Sequence, residues 1–120
     1  MTTTFDSWTW VEYLGGFKKG ERARQIIASG EEICTPALAL TEIKSKFMRE
    51  RQPHAEYLEF VCKRSRIVPL TKEIALAAAD YKAQGLHTSD AIIYATARAA
   101  NSTLLTGDKH FSKLQGVEML

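Results

Sequence analysis

The stretch Thr88-Ser89-Asp90-Ala91-Ile92-Ile93-Tyr94-Ala95-Thr96-Ala97 decides the fold of this chain. Thr88 or Ser89 is a typical helix cap, which predicts a helix over Asp90–Ala100. Apolar residues occupy nearly every side of that helix, as in a helix that is buried. The next predicted element is a strand, Thr103–Thr106. A buried helix followed by a strand indicates a layered α/β structure.

Outward from this stretch, short strands and helices alternate along the chain. The predicted strands are Thr2–Phe5, Glu32–Thr35, Arg66–Leu70, Thr103–Thr106 and Val117–Leu120. The other predicted helices are Ser7–Leu14, Lys19–Ser29, a helix from the cap Thr35 and Pro36 to Arg51, Pro53–Arg64, a helix from the cap Thr71 to Gln84, and Asp108–Leu114. This alternation predicts an α/β fold with a parallel sheet covered on both faces. Ligands of such sheets bind beyond the carboxyl ends of the strands.

Length and composition are those of an ordinary globular protein. The 120 residues favour a single domain over residues 1–120, which can bury a core without disulfides or a structural metal. Apolar residues make up 45% of the chain and charged residues 25%, both typical values. The net charge of +2 neither requires nor excludes a nucleic-acid partner, so local charge patches carry more information than the total.

The cysteines and histidines show no pattern of a metal site. Cys34 and Cys62 lie in apolar surroundings without a CxxC or Cys/His motif, so we expect both to be reduced and buried. His54, His87 and His110 lack ligand spacing, and we expect His110 on a helix surface. The amino terminus has no signal-peptide pattern, and no apolar run has membrane-spanning length. We therefore expect a cytoplasmic protein with no membrane segment.

Four acidic residues stand where predicted elements meet: Asp6, Glu42, Asp90 and Asp108. In an alternating α/β chain such positions can converge on one edge of a parallel sheet. Four carboxylates in one cleft would repel each other strongly unless cations neutralised them. The pattern therefore predicts a site for hard, oxygen-binding metal ions and phosphate chemistry.

Three of these acids also have an ordinary structural explanation. Asp6 and Asp108 stand where helix N-caps are expected, and Asp is favoured there in any protein. Asp90 would interact favourably with the dipole of its helix, although this contributes only about 0.3–1 kcal/mol. Burying a carboxylate at that position would cost more than this unless it were paired or bound to metal.

Glu42 is ambiguous in a different way. It lies away from the apolar stripe of its helix, one turn before Lys46 and two turns before Arg49. An exposed Glu42–Lys46 ion pair is the simple explanation, worth about 0.2–0.5 kcal/mol. The alternative is a face on which Glu42 holds a metal while Lys46 and Arg49 bind phosphate groups. The sequence leaves both explanations open.

Four segments in sequence order carry a resemblance to a known family. They are Asp6-Ser7, Leu40-Thr41-Glu42-Ile43, Ser89-Asp90-Ala91-Ile92-Ile93-Tyr94-Ala95-Thr96-Ala97 and Leu104-Leu105-Thr106-Gly107-Asp108-Lys109-His110-Phe111. With them the chain resembles a PIN-domain ribonuclease, in particular the small VapC-like toxins of toxin–antitoxin pairs. The resemblance implies a three-layer α/β/α sandwich with a central, mostly parallel sheet. It also implies an endoribonuclease that depends on Mg²⁺ or Mn²⁺, is commonly a homodimer and is inhibited by an antitoxin.

The resemblance also assigns roles to residues. Asp6, Glu42, Asp90 and Asp108 match the acidic quartet of the family, and Thr106 matches its frequent active-site hydroxyl. We expect Asp6 and Asp90 to bind the metal directly, and Glu42 and Asp108 to act through waters or a second metal. The metal would activate a water for attack on an RNA phosphodiester. Two alternatives remain: a housekeeping RNA-processing nuclease of the same fold, and a non-catalytic regulatory or scaffold module.

Overall fold

A five-stranded sheet forms the centre of the protein in a computed structural model, which describes residues 1–120. The strands are β1 Thr2–Phe5, β2 Glu32–Pro36, β3 Arg66–Val68, β4 Thr103–Thr106 and β5 Val117–Met119. Their order across the sheet is β3-β2-β1-β4-β5, and every neighbouring pair is parallel. The predicted α/β fold with a parallel sheet is confirmed.

Six α-helices cover this sheet. They are α1 Ser7–Leu14, α2 Glu21–Ser29, α3 Ala37–Arg49, α4 Ala55–Arg64, α5 Lys72–Ala83 and α6 Thr88–Ala99. Two short 3-10 turns, Lys18–Gly20 and Lys109–Phe111, complete the structure. The predicted elements all occur, and they differ from the structure chiefly at their ends.

Side chains that alternate along the strands build a core on each face of the sheet. Ile33 and Leu105 pack with the cluster formed by residues of α1 to α4. Their strand neighbours Cys34 and Leu104 pack with residues of α6 on the opposite face. This period of two is what a sheet covered on both faces requires. The helix α6 is buried along most of its length, as its composition predicts.

Strand β1 is polar yet central, because its neighbours satisfy its hydroxyl groups. Thr3 and Thr4 are buried. The hydroxyl of Thr4 shares a hydrogen bond of 2.5 Å with that of Ser102, and Thr9 Oγ1 donates to the carbonyl of Leu105 at 2.5 Å. Buried hydroxyls need such partners. Hydrogen bonds from Thr4 in β1 and Thr9 in α1 therefore attach the chain on either side of Asp6 to residues in or next to β4.

A second buried polar group, which we call the hydroxyl cluster, consists of Trp10, Thr35 and Ser65. Trp10 Nε1 donates to Thr35 Oγ1 at 2.9 Å, and Thr35 Oγ1 and Ser65 Oγ lie 2.7 Å apart. Ser65 Oγ also donates to the carbonyl of Val61 at 2.6 Å. The cluster ties α1, β2 and the end of α4 together.

The prediction that Thr35 caps helix α3 is wrong, because its hydroxyl belongs to the hydroxyl cluster. Thr35 is still in β2, and Pro36 precedes α3 without a side-chain cap. The prediction that Thr88 or Ser89 caps α6 is also wrong, since both lie inside the first turn after His87. The hydroxyl of Thr88 instead accepts a hydrogen bond from Lys82 Nζ at 2.7 Å. In both cases a tertiary partner has taken the hydroxyl group.

Other corrections are smaller. Helix α3 ends before the predicted Arg51, which takes a left-handed φ of 54°. Strand β3 stops at Val68, and the predicted helix Asp108–Leu114 is reduced to a 3-10 turn. Cys34 is buried as expected, but Cys62 is exposed because it lies on the outer side of α4. None of these changes alters the topology.

Candidate functional site

The candidate site lies at the carboxyl ends of β1 and β4, where the strand order reverses. The chain builds outward from β1 through β2 and β3, then returns to add β4 and β5 on the other side. A crevice at such a switch point is where open α/β sheets bind ligands. Phe5 pairs with Leu105, so Asp6, directly after β1, meets residues that follow β4.

Asp6 is buried and held by two hydrogen bonds. Its Oδ1 accepts from the backbone nitrogen of Thr9 at 2.9 Å, and its Oδ2 accepts from the hydroxyl of Thr106. Burial raises the pKa of Asp6 to about 6, against the lowering effect of the bonds from Thr106 and Thr9, and the charge of Glu42 raises it further. The ionised carboxylate is therefore disfavoured here unless a cation approaches it.

Glu42 reaches the same site from α3 and is half-buried. Ser7 Oγ donates to Glu42 Oε1 at 3.0 Å, which ties the start of α1 to α3. Burial raises the pKa of Glu42, the bond from Ser7 opposes this, and the charges of Asp90 and Asp108 raise the pKa further. The acids therefore act on each other across the site, as four converging carboxylates should.

Asp90, Asp108 and His110 form the tightest group of possible metal ligands. His110 Nδ1 lies 2.8 Å from Asp108 Oδ1 and 3.8 Å from Asp90 Oδ2. One candidate ligand atom from each of the three lies within 4.8 Å of the others. Burial raises the pKa of Asp90 and the charge of Asp108 adds to this, while His110 and His87 lower it. Two carboxylates and an imidazole thus share one small space.

One cavity of about 190 Å³, which we call the acid cavity, collects these side chains. It is lined by Asp6, Ser7, Trp8, Glu42, Asp90, Ile93, Asp108 and Phe111. All four predicted acids therefore face the same space. Thr106 is fully buried, donates to Asp6 and accepts a hydrogen bond from the backbone nitrogen of Asp108 at 3.0 Å. It links two members of the acidic quartet.

A second opening, which we call the basic groove, lies beside the acid cavity between α1 and α3. It has a volume of about 330 Å³ and is lined by Ser7, Trp8, Val11, Glu12, Glu42, Lys46 and Arg49. Ser7, Trp8 and Glu42 line both spaces. Lys46 Nζ pairs with Glu50 Oε2 at 2.7 Å, so of the two explanations left open for Glu42 the ion pair with Lys46 is not formed. Glu42 turns to Ser7 and the acids instead.

The structure agrees with the simple structural explanations of the three aspartates. Asp6 caps α1 through the nitrogen of Thr9, and Asp108 caps the second 3-10 turn through the nitrogen of His110 at 2.9 Å. Asp90 lies in the first turn of α6, where the helix dipole favours it. Each aspartate thus has a structural role and still faces the acid cavity. Capping and function are not alternatives here.

His110 is the residue that sequence reasoning missed. We expected it on the surface of a regular helix, but the 3-10 turn Lys109–Phe111 brings its ring against Asp108. Its side chain is 65% exposed, so it stands at the rim of the acid cavity. The available signal was its position two residues after Asp108, because a tight turn brings such neighbours together.

The family pattern of the PIN domain matches residues 4–117. The chain belongs to the PIN-domain family. A comparison with curated protein sequences finds no significant match.

Solved structures with the same fold include toxins of toxin–antitoxin systems. A toxin–antitoxin complex from Klebsiella pneumoniae aligns with this PIN domain at a TM-score of 0.82 and 20% identity, over 97% of this chain and 95% of that chain. VapC20 of Mycobacterium tuberculosis, a sarcin-ricin loop cleaving toxin, aligns at a TM-score of 0.79 and 18% identity, over 97% of each chain. VapBC2 of Rickettsia felis, bound to a DNA fragment from its promoter, aligns at a TM-score of 0.75 and 16% identity, over 100% of this chain and 98% of that chain. The predicted α/β/α sandwich is confirmed.

No helix of the PIN domain combines the length and the apolar character needed to cross a membrane.

Proposed function

We propose that this PIN domain is a divalent-metal-dependent endoribonuclease that acts as a VapC-like toxin. The observation that carries the proposal is the convergence of Asp6, Glu42, Asp90 and Asp108 on the acid cavity. The pKa values of the first three are raised by burial and by neighbouring carboxylates. A divalent cation would relieve both effects, so the cavity is suited to bind one.

The donor set fits Mg²⁺ or Mn²⁺. Carboxylate oxygens are the hard ligands that both ions prefer. We propose Asp6 and Asp90 as direct ligands, with Glu42 and Asp108 acting through waters or on a second ion. His110 adds an imidazole nitrogen at the rim, a donor that suits transition metals better than Mg²⁺.

The residues around the metal position would prepare a phosphodiester for hydrolysis. A bound divalent ion supplies a water of lowered pKa and offsets negative charge on the phosphate. Glu42, whose pKa is raised chiefly by burial, is suited to accept a proton from an attacking water. Ser7 orients Glu42, and Thr106 holds Asp6. Removing Thr106 would therefore loosen the site without removing a charge.

Lys46 and Arg49 are the proposed contacts to RNA phosphates. They line the basic groove, which shares Glu42 with the acid cavity. A phosphate bound there would lie next to the acids, so the chain of the substrate would lead into the site. Cationic side chains supply the salt-dependent part of RNA affinity.

The structural neighbours support a toxin rather than a housekeeping RNA-processing nuclease or a non-catalytic module. They include complexes of toxins with their antitoxins. We propose that an antitoxin inhibits this PIN domain, that two copies form a homodimer, and that the protein acts on RNA in the cytoplasm. Expression of a toxin should arrest growth, and coexpression of a small protein encoded by an adjacent gene should relieve the arrest. This result would distinguish a toxin from a housekeeping nuclease and from a non-catalytic module.

The decisive experiment compares the wild type with Asp90→Asn and Asp80→Asn. Asn has nearly the volume of Asp but no charge. Asp80 is exposed on α5, so its variant is a matched control. We expect the wild type and Asp80→Asn to cleave RNA with Mg²⁺ or Mn²⁺ but not with chelator. Asp90→Asn should lose at least about 100-fold in cleavage rate, which is more than the loss of a residue that only supports a metal ligand causes.

Metal binding provides a second readout that does not depend on activity. Calorimetry should detect Mg²⁺ or Mn²⁺ binding by the wild type and Asp80→Asn, and weaker binding by Asp90→Asn. If neither ion binds, with or without RNA, the metal-nuclease proposal fails. Full activity in a folded Asp90→Asn protein would remove Asp90 from the site.

A further inference from the structure

We propose that Trp8 and the basic groove form a subsite for one unpaired nucleobase of the RNA, beside the phosphate to be cleaved. The proposal rests on the proposed nuclease function and specifies its substrate as single-stranded at this position. Trp8 lines both the acid cavity and the basic groove. A base stacked on it would therefore lie next to the acids.

The two tryptophans of α1 differ in environment. Trp10 is completely buried and bonds to Thr35, whereas Trp8 is 44% exposed. Trp8, Val11 and Glu12 lie three and four residues apart, which places them on one face of the helix. All three line the basic groove. An indole that is half exposed at the wall of a groove presents an aromatic surface to a ligand.

Gly107 anchors the indole to the loop that carries Asp108. A Cβ at Gly107 would lie 2.5 Å from Trp8 Nε1 and 2.8 Å from its Cδ1, closer than real side chains approach. The absence of a side chain at this position lets the ring lie directly against the backbone. The ring therefore packs against the loop that carries Asp108 before any ligand binds. Such preorganisation lowers the entropy cost of binding.

The opposite wall of the groove carries the charge that a nucleotide needs. Lys46 and Arg49 lie one turn apart on α3, and Arg49 belongs to none of the ion pairs of the protein. Glu12 would repel a phosphate from the side of α1, whereas Glu42 lies on α3 one turn before Lys46 and accepts a hydrogen bond from Ser7. The groove therefore favours a nucleotide with its phosphate toward α3 and its base on Trp8.

This combination of cations and an aromatic platform favours a single strand. Proteins that bind single-stranded RNA stack bases on aromatic side chains while cations follow the backbone. In a duplex the faces of the bases are already stacked on their neighbours, so Trp8 would find no free face. The groove volume of about 330 Å³ lies at the lower end of the roughly 300–1,000 Å³ typical of small-ligand sites, which suits one nucleotide.

The test measures binding rather than cleavage, in the Asp90→Asn background with Mg²⁺. The probes are a short unstructured oligoribonucleotide of mixed sequence and the same strand annealed to its complement. We expect Trp8→Leu to weaken single-strand binding about 5- to 150-fold, the range of base–aromatic stacking. Trp8→Phe, which keeps an aromatic face, should retain most of the affinity, and duplex binding should change little in both variants.

Trp8 fluorescence gives an independent signal. The single strand should quench it, and Trp8→Phe, which keeps only the buried Trp10, should show no quenching. A series of oligonucleotides, each with one abasic position, locates the stacked base. One member of the series should bind the wild type more weakly than the intact strand does. Trp8→Leu should bind that member and the intact strand equally, as a double-mutant cycle requires.

Three results would overturn the subsite: unchanged affinity in Trp8→Leu, equal losses in Trp8→Leu and Trp8→Phe with a lowered melting temperature, or equal binding of duplex and single strand. The first would make a protein segment the better candidate for the groove, and the second would reduce Trp8 to a support for the Gly107 loop. Failure of the nuclease proposal is seen separately, as absence of cleavage by the wild type.

Discussion

The hydroxyl cluster and the acid cavity are both polar regions in the interior of a small PIN domain, but their groups meet in opposite ways. In the hydroxyl cluster a donor meets an acceptor at each contact, from Trp10 to Thr35 to Ser65. In the acid cavity carboxylates face carboxylates, and burial raises the pKa values of Asp6 and Glu42. The first arrangement stabilises the fold. The second opposes folding unless a cation neutralises it, and such local destabilisation is common at functional sites.

The largest expected effect on stability concerns Asp6. Its pKa is about 6 in the folded protein against an ordinary 3.8, so the native state holds the proton more tightly than the unfolded state between these values. Stability of the metal-free protein should therefore fall as pH rises from about 4 to 6. The difference between the two pKa values corresponds to a loss of about 3 kcal/mol in the free energy of unfolding at neutral pH, relative to low pH.

Asp6→Asn should remove this destabilisation. The amide oxygen can still accept from Thr9, so the variant should be more stable than the wild type near pH 7 in chelator, with little difference below about pH 4. Urea unfolding across the pH range, with Asp80→Asn as control, measures this. A variant that is less stable at neutral pH would show that Asp6 stabilises the fold, and the contrast with the hydroxyl cluster would disappear.

Thr35→Val should lower the stability of the protein, whereas Asp6→Asn should raise it. The substitution keeps the shape of the side chain but leaves Trp10 Nε1 buried without an acceptor, which costs about 1–3 kcal/mol. The loss should not depend on pH or on metal. Thr2→Val, in the same sheet with an exposed hydroxyl, serves as control in the same urea titrations. Equal stability of Thr35→Val and the wild type would mean that the cluster contributes nothing.

The smallest effect on stability is expected in the basic groove. Lys46→Ala combined with Arg49→Ala removes exposed charges, whose ion pairs contribute about 0–1 kcal/mol, so the melting temperature should hardly change. Affinity for single-stranded RNA should fall, and its logarithmic dependence on salt should flatten by about 0.7 for each lost phosphate contact. Lys18→Ala with Lys19→Ala removes the same charge elsewhere. The same salt slope in both double variants would place the RNA path outside the groove.

The layered α/β architecture with a parallel sheet and the position of the aspartates could be predicted because they depend on local signals. The apolar character of α6 and the alternation of strands and helices determine the layers, and Asp6 and Asp108 follow their strands directly. Glu42 could not be separated from an exposed ion pair by pattern alone. Only the packing of α3 against α1 turns it toward Ser7.

The errors have a common physical origin. Thr35 and Thr88 carry good capping hydroxyls, but Trp10 of α1 and Lys82 of the preceding helix α5 donate to these groups. His110 was set aside because spacing rules assume regular helices, whereas a 3-10 turn places its ring beside Asp108. Capping and spacing preferences are worth little energy, so tertiary contacts override them.

The pairing of β1 with β4 has a consequence for the synthesis of the protein. Asp6 leaves the ribosome about 100 residues before Thr106, which holds it, and before Asp108. Loops of this length close late because chain entropy must be overcome before the contact forms. A chain synthesised only as far as β3 therefore has no assembled acid cavity. The order of the strands makes the cavity depend on the insertion of β4 beside β1, long after Asp6 has been synthesised.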